Sequence, residues 1–574
     1  MKLYILSILF SLLFIGCGSY NEKSSGKPSF SAAIVDNAAW YSDSNTDVLK
    51  MKVFVPTPNE YNCPPFNNTT LATRPCTMAD VNEDTDAYDN FNPKLHVALK
   101  IGDTFNLNNS VNAEFKVKGK STRQSEQKSY RIKLDSKILL FKGERTMQLN
   151  KHPYENSRVK NKLAFDLFRT IPNLPSLKTQ FVNLEVTELN TTSYGLFTRI
   201  ESVGKDYLKN RNWNEDDRLY KAQNFGFFEH KELRINTKGD ALDPNAFDEV
   251  LEVKNGKDHT NLTNMLSAAN QNLTNLEIDE LFNTYFDREN YITWLAVNLV
   301  LANKDTVSQN FYLINPKYST KFYFLPWDYD GAGRENNRYA KWELGISVWW
   351  GLPLHRKFLS IKKNRDDLYL KADLLRQKYI TPKIIKNYLD DYNKSIEVHI
   401  LSQPESDYLS YNRWYNEFWN VLISRLDENI QNYKSQIGHP MAFWQSANYN
   451  EGKLALAWER AIDFEGDEIV YDLKIAETLT YILDANGTAI PVLDNVLIED
   501  VAIADTLTLD QDNIYIDKFI NLSAGTYYMK VIARETNDAS HYQIGFEKDI
   551  RVVYNINGKN RSVKYPGVFR FEVK

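Results

Sequence analysis

The side chains most able to do chemistry here are acidic and amide groups gathered at two chain reversals. Asn303-Lys304-Asp305 closes a long apolar segment, Asn310 follows five residues after Asp305, and Pro326-Trp327-Asp328-Tyr329-Asp330-Gly331 places Asp328 18 residues beyond Asn310. Between the reversals run Phe311-Tyr312-Leu313-Ile314 and Lys321-Phe322-Tyr323-Phe324-Leu325. A turn near Pro316-Lys317-Tyr318 would join them as a hairpin and carry Asn310 and Asp328 to one edge of it. An Asp, an Asn and a second Asp within reach make a site of oxygen donors alone, suited to Mg²⁺. An anionic ligand on that metal needs cations from a neighbouring sheet as well. Lys221 in Leu219-Tyr220-Lys221, Arg234 with Glu232, and Lys133 are the candidates. Each piece alone is ordinary: Asp328 and Asp330 before Gly331 suit a turn, and Asp305 suits a cap or turn. Their conjunction is what singles them out.

No Walker loop, HExxH, GxSxG, paired CxxC or GxGxxG is present, and the eight His show no metal-ligand spacing. Protein kinases transfer phosphoryl groups with the order of parts found here: an Asp that orients the acceptor hydroxyl, an Asn five residues later on one metal, and an Asp on both metals after a hairpin. Four pieces precede Pro326-Trp327-Asp328-Tyr329-Asp330: Val117-Lys118-Gly119-Lys120-Ser121-Thr122-Arg123 with Lys128-Ser129-Tyr130-Arg131-Ile132-Lys133; Tyr194-Gly195-Leu196-Phe197 with Glu201; Leu219-Tyr220-Lys221; and Asn303 through Leu313. In this order, over about residues 110–435, the sequence resembles the spore coat protein H (CotH) kinase-like family, an atypical branch of the kinase superfamily. The resemblance implies Asp305 as the catalytic Asp, Asn310 and Asp328 as metal ligands, and Lys221 as the Lys that contacts phosphate. Lys133, Glu232 and Arg234 stay open as further cofactor contacts. ATP and Mg²⁺ (or Mn²⁺) are the implied cofactors, and a protein hydroxyl is the implied acceptor. Lys118 stands where the family pattern often has Arg, which keeps the charge and loses a planar fork. The alternative is a catalytically inactive surface, structural or adhesion lipoprotein built on the same scaffold.

The elements that must position these groups are legible as periodicity. Residues 49–55, 96–101, 113–118 and 130–134 alternate apolar with polar, as strands with one wet face do. Residues 161–169 take helical spacing; 181–186 and 194–200 return to strand, with Asn190-Thr191-Thr192-Ser193 as the expected hairpin loop. Helices dominate later, at 290–302 and through 361–435. Strands followed by helices predict an α+β, kinase-like two-lobed domain over 31–437. Beyond Gly438-His439-Pro440, strand patterns without helix predict an immunoglobulin/fibronectin-like sandwich over 438–574. Its early Trp458 and its Leu522-Ser523-Ala524-Gly525-Thr526-Tyr527 resemble the core Trp and tyrosine corner of fibronectin type III-like domains.

With 574 residues and 43% hydrophobic content, the chain is too long for one core. Its 69 Lys+Arg against 74 Asp+Glu leave a net charge of -5, too weak a field to hold nucleic acid by its phosphates. Met1-Lys2-Leu3 and the apolar run to Ile15 predict a secretion signal over 1–16, too short to stay as a spanning helix. Leu13-Phe14-Ile15-Gly16-Cys17 resembles the lipobox of bacterial lipoproteins, which implies a lipid on Cys17, a tether over 17–30 and membrane attachment through that lipid. Gly18 after the cysteine matches outer-membrane sorting in the bacterial envelope. In that oxidising compartment Cys63 and Cys76 are expected to pair, with two free thiols as the alternative.

Overall fold

The computed structural model describes residues 34–42, 46–63, 74–86, 91–102, 110–333, 341–505, 512–547 and 550–574; the leader, Cys17 and the tether lie outside them. Among the described residues, seven strands close into a barrel: β1 (Leu49–Phe54), β2 (Lys94–Ile101), β3 (Ala113–Lys118), β4 (Ser129–Leu134), β5 (Thr146–Asn150), β6 (Thr179–Thr187) and β7 (Thr191–Glu201). The order is β1-β2-β3-β4-β5-β7-β6, and parallel pairing of β1 with β6 closes the ring. Closure leaves no free sheet edge. The alternation read from the sequence sets the wall's two faces: Ala113, Phe115 and Val117 of β3 are buried inside, while Glu114, Lys116 and Lys118 point outward. The β6–β7 loop is shorter than expected. Thr187 pairs with Thr191, so Thr191–Ser193 belong to the strand and Glu188–Asn190 alone make the turn.

A second, four-stranded antiparallel sheet follows, made of β8 (Arg218–Ala222), β9 (Leu251–Asn255), β10 (Phe311–Asn315) and β11 (Tyr323–Pro326) in the order β11-β10-β8-β9. The helix Arg288–Val300 lies against it and stacks Trp294 on Phe324 with centroids 4.2 Å apart. It ends two residues before Ala302, the expected stop. Leu301 caps it, and Ala302, at φ +47°, turns the chain away. Long helices at Lys362–Lys378, Pro382–Ile400 and Leu426–Ile437 complete this half.

Among the described residues, several contacts join the barrel to the helical half. The helix Lys160–Phe168 packs beside β6 and β7 and sends Phe165 and Phe168 against Tyr329. Lys151, at the end of β5, is ion-paired with Glu405, with 3% and 1% of the two side chains exposed. Glu405 also accepts the N–H of Leu196 at 3.0 Å. Gly195, at φ +74°, has no room for a side chain, since a Cβ there would lie 2.7 Å from Glu405 Oε1 and 2.9 Å from Pro404.

Past Ile437 the described chain is all β. The sheet of β12 (Gln445–Asn450), β13 (Lys453–Glu459) and β16 (Asn513–Phe519) shares a core with the sheet of β14 (Ile469–Leu483), β15 (Ala489–Ala504), β17 (Gly525–Glu535), β18 (Tyr542–Ile544) and β21 (Val568–Val573). β19 (Ile550–Ile556) and β20 (Lys559–Tyr565) form a separate hairpin. Trp458 sits in the shared core against Tyr471, and the Tyr527 hydroxyl donates to Ser523 O at 2.9 Å. The fold is therefore α+β with an appended β-sandwich. The two parts touch through Arg356–Glu459 at 3.0 Å and through Phe464, which lies under Arg365 and edge-on to Trp350. Cys63 and Cys76 are joined as a disulfide.

Candidate active site

The β10–β11 hairpin builds the centre of the site. Phe311 pairs with Pro326, so Asn310 and Trp327 are the first residues beyond the ladder and Asp328 follows at the same edge. Both polar residues leave their strands in the left-handed region, Asn310 at φ +60° and Asp328 at φ +56°. Asn and Asp tolerate that conformation better than other side chains with a Cβ. The turn Lys304–Thr306, which carries Asp305, lies alongside, because the Asn303 side chain donates to Asp328 O at 3.2 Å.

Cations approach Trp327 from both sheets. Lys118 of β3 stands with Nζ 5.7 Å from the Trp327 ring centroid, and Lys221 of β8 stands 5.8 Å from it. Burial of the amine, reinforced by the charge of Lys221 and opposed by Asp328 and Asp330, pushes Lys118 down to about 7. Burial lowers Lys221 as well, against the pull of Glu252, its partner across the strand pair. Asp328 moves the other way: burial raises its carboxyl and the neighbouring Asp330 charge raises it further, while Asn161, His152 and Lys118 hold it back. Lys120 completes the cluster from the loop after Gly119, which at φ +93° would bring a Cβ to 2.2 Å from Thr122 Oγ1.

This donor set fits a hard divalent cation. The Asp330 charge that raises the Asp328 carboxyl is relieved by positive charge, and every candidate ligand atom is oxygen. Asn303 Oδ1, buried beside Asp328, has no hydrogen-bond partner among the described residues. Asn310, Asp328 and Asp330 are the residues that would hold the ion.

The other expected contacts lie elsewhere. Lys133 is exposed on β4 opposite Glu114, four residues along the ladder from the Lys118–Ser129 pair. Arg234 is exposed, and Glu232 pairs with its neighbour Lys231 at 3.7 Å. No described contact joins these three to Asp328. Arg123, within the Gly119 segment, is buried in an ion pair with Asp84 at 3.3 Å, so it props the loop. Trp327 stands in the Pro326-Trp327-Asp328 motif, but nothing in the sequence shows it as a lysine platform, and no motif marks Asn161 and His152 as neighbours of Asp328. Lys118 carried a signal, its place in the Lys-Gly-Lys-Ser segment.

The profile of the CotH kinase protein family matches residues 115–441, more than half of the chain and the whole of the Lys118, Lys221, Asp305, Asn310 and Asp328 constellation. The chain belongs to this family. A relative is the inner spore coat protein H of Bacillus subtilis (strain 168), 26% identical over 224 residues. The match takes in 38% of this chain and 58% of the relative, so the chain spans little more than half of that protein's length. Among solved structures, the Helicobacter pylori proinflammatory kinase CtkA aligns over 53% of this chain and 88% of its own at 13% identity, with a TM-score of 0.24, too low to argue from. Family membership makes this a kinase-like protein, and it includes Asp305, Asn310, Asp328, Lys118 and Lys221 within one matched span.

Proposed function

We propose that the chain is a protein kinase that moves the γ-phosphoryl group of ATP to a protein hydroxyl, held at the bacterial envelope, on its outer membrane, by a lipid on Cys17. The observation that carries the reading is the convergence of Lys118 and Lys221, from two different sheets, on the Trp327–Asp328 corner. A bound triphosphate brings several negative charges, and two partly buried amines facing one corner are what it requires. In the reaction the acceptor oxygen bonds to γ-phosphorus, the bond from phosphorus to the β,γ-bridging oxygen breaks, and ADP leaves with that oxygen. Asp305 orients the acceptor hydroxyl and takes its proton. Lys118 and Lys221 neutralise the phosphates, and Asn310, Asp328 and Asp330 hold the cation. Mg²⁺ or Mn²⁺, when bound, offsets charge on the β- and γ-phosphates.

The test is a thermal shift of the purified chain with Mg²⁺-ATP, paired with transfer of labelled γ-phosphate to candidate acceptor proteins. Selective binding raises the melting temperature by linkage, and Asp328→Ala abolishes the rise. Asp305→Asn keeps the rise and loses labelled transfer. Equal responses of wild type and Asp328→Ala would leave a kinase-like scaffold without nucleotide chemistry.

A further inference from the structure

Asp328 is held by two asparagines that grip different atoms. Asn303 donates its side-chain amide to the Asp328 carbonyl at 3.2 Å. Asn161, fully buried in the first turn of the helix Lys160–Phe168, donates Nδ2 to Asp328 Oδ1 at 3.1 Å and accepts the Tyr329 N–H on its own Oδ1 at 2.6 Å. The peptide linking residues 328 and 329 is thus pinned at both its carbonyl and its N–H, with the preceding φ in the left-handed region. Asp328 Oδ2 accepts no hydrogen bond from a described residue.

An amide suits this place for a chemical reason. It offers N–H donors and a carbonyl acceptor in one fixed plane, so one side chain can fix a carboxylate and the next backbone N–H together. A carboxylate there would repel Asp328, and an apolar group would leave the Tyr329 N–H buried and unpaired. We infer that Asn161 is a positioning residue for Asp328: it locks Oδ1 to the fold so that Oδ2 is presented to a divalent cation. The inference rests on the metal-nucleotide reading above and adds a residue to it.

The experiment measures Mn²⁺ affinity of the full chain in the presence of ADP by electron paramagnetic resonance, without turnover. Wild type and Asn161→Leu are compared, each with native Asp328 and with Asp328→Asn. Outer-shell partners of metal ligands set affinity by about 10–100-fold, so Asn161→Leu is expected to weaken Mn²⁺ binding about tenfold or more. With Asp328→Asn in place, the further loss from Asn161→Leu is expected to fall below about twofold, because the coupled partner is gone. If Asn161→Leu does not fold by circular dichroism, Asn161→Ser, which fits the same space and is too short to reach Asp328, is judged by the same criteria. Wild-type affinity in the Asn161 variant, or an equal loss in both backgrounds, overturns the inference while the metal-nucleotide reading stands. A wild type that binds no Mn²⁺ with ADP removes both.

Discussion

Lys118 and Lys221 owe their chemistry to desolvation: an amine beside Trp327 and away from bulk water loses part of its preference for the proton. With Lys118 pushed down to about 7 against an ordinary value near 10.4, the folded chain binds fewer protons than the unfolded one between those limits. Stability contributed by this group therefore rises with pH across that window and is lowest below 7. Phosphate favours the cation, so nucleotide binding at pH 8 should draw a proton into the site. Calorimetric titration with Mg²⁺-ATP in two buffers of different ionisation enthalpy reads that uptake directly, and Lys118→Met should remove it. An uptake unchanged in Lys118→Met would place the proton elsewhere. Asp305, Asn310 and Asp328 were legible because 23 residues and one hairpin hold them in order. Asn161 and His152 were not, since each lies more than 160 residues from Asp328 and becomes its neighbour only through the packed helix Lys160–Phe168.

At the scale of elements, the barrel and the helical half are pinned by Lys151 and Glu405. The Lys151 amine also donates to the carbonyls of Tyr194 and Leu196, at 2.6 and 3.2 Å, and burial pushes it down to about 8. Breaking a buried pair from one side leaves a charge without compensation, which costs about 3–5 kcal/mol, whereas an apolar replacement of both partners is often neutral. Glu405→Leu alone is thus expected to destabilise the N-terminal domain by that amount in urea, and Lys151→Met with Glu405→Leu to recover most of it. Equal losses in the single and double variants would show that packing matters there and charge does not. Tyr194-Gly195-Leu196-Phe197 was visible as a motif, but its reason was not. Gly195 is needed where β7 meets Glu405 and Pro404, and Glu405 lies 210 residues away with no sequence signal of its own.

Over the whole molecule, a kinase-like domain is followed by a sandwich that docks on it through Phe464 and the Arg356–Glu459 pair. Among the described residues no helix is long and apolar enough to cross a membrane. The proposed lipid would be carried by the Cys17 sulfur and would gain about 0.8 kcal/mol for each buried CH₂. Expressed in a double-membraned bacterium, the wild-type chain should sediment with the outer membrane and incorporate labelled fatty acid, and Cys17→Ser should lose both. Sedimentation of Cys17→Ser with the membrane would refute the anchor.

The sequence by itself determined what is local: the alternation that makes each barrel strand two-faced, the helical stripes, the hairpin that brings Asn310 and Asp328 to one edge, and the change from α+β to all-β near residue 438. Strand and helix periods are properties of neighbouring side chains and need no knowledge of distant ones. Tertiary structure decided the rest. The seven strands form a closed barrel only because β1 pairs in parallel with β6, some 130 residues on. Lys133 and Arg234 match Lys118 and Lys221 in charge, yet only the latter two stand over Trp327. Burial and distance set which charge meets which, and both are sums over the whole packed chain, so no window of residues contains them.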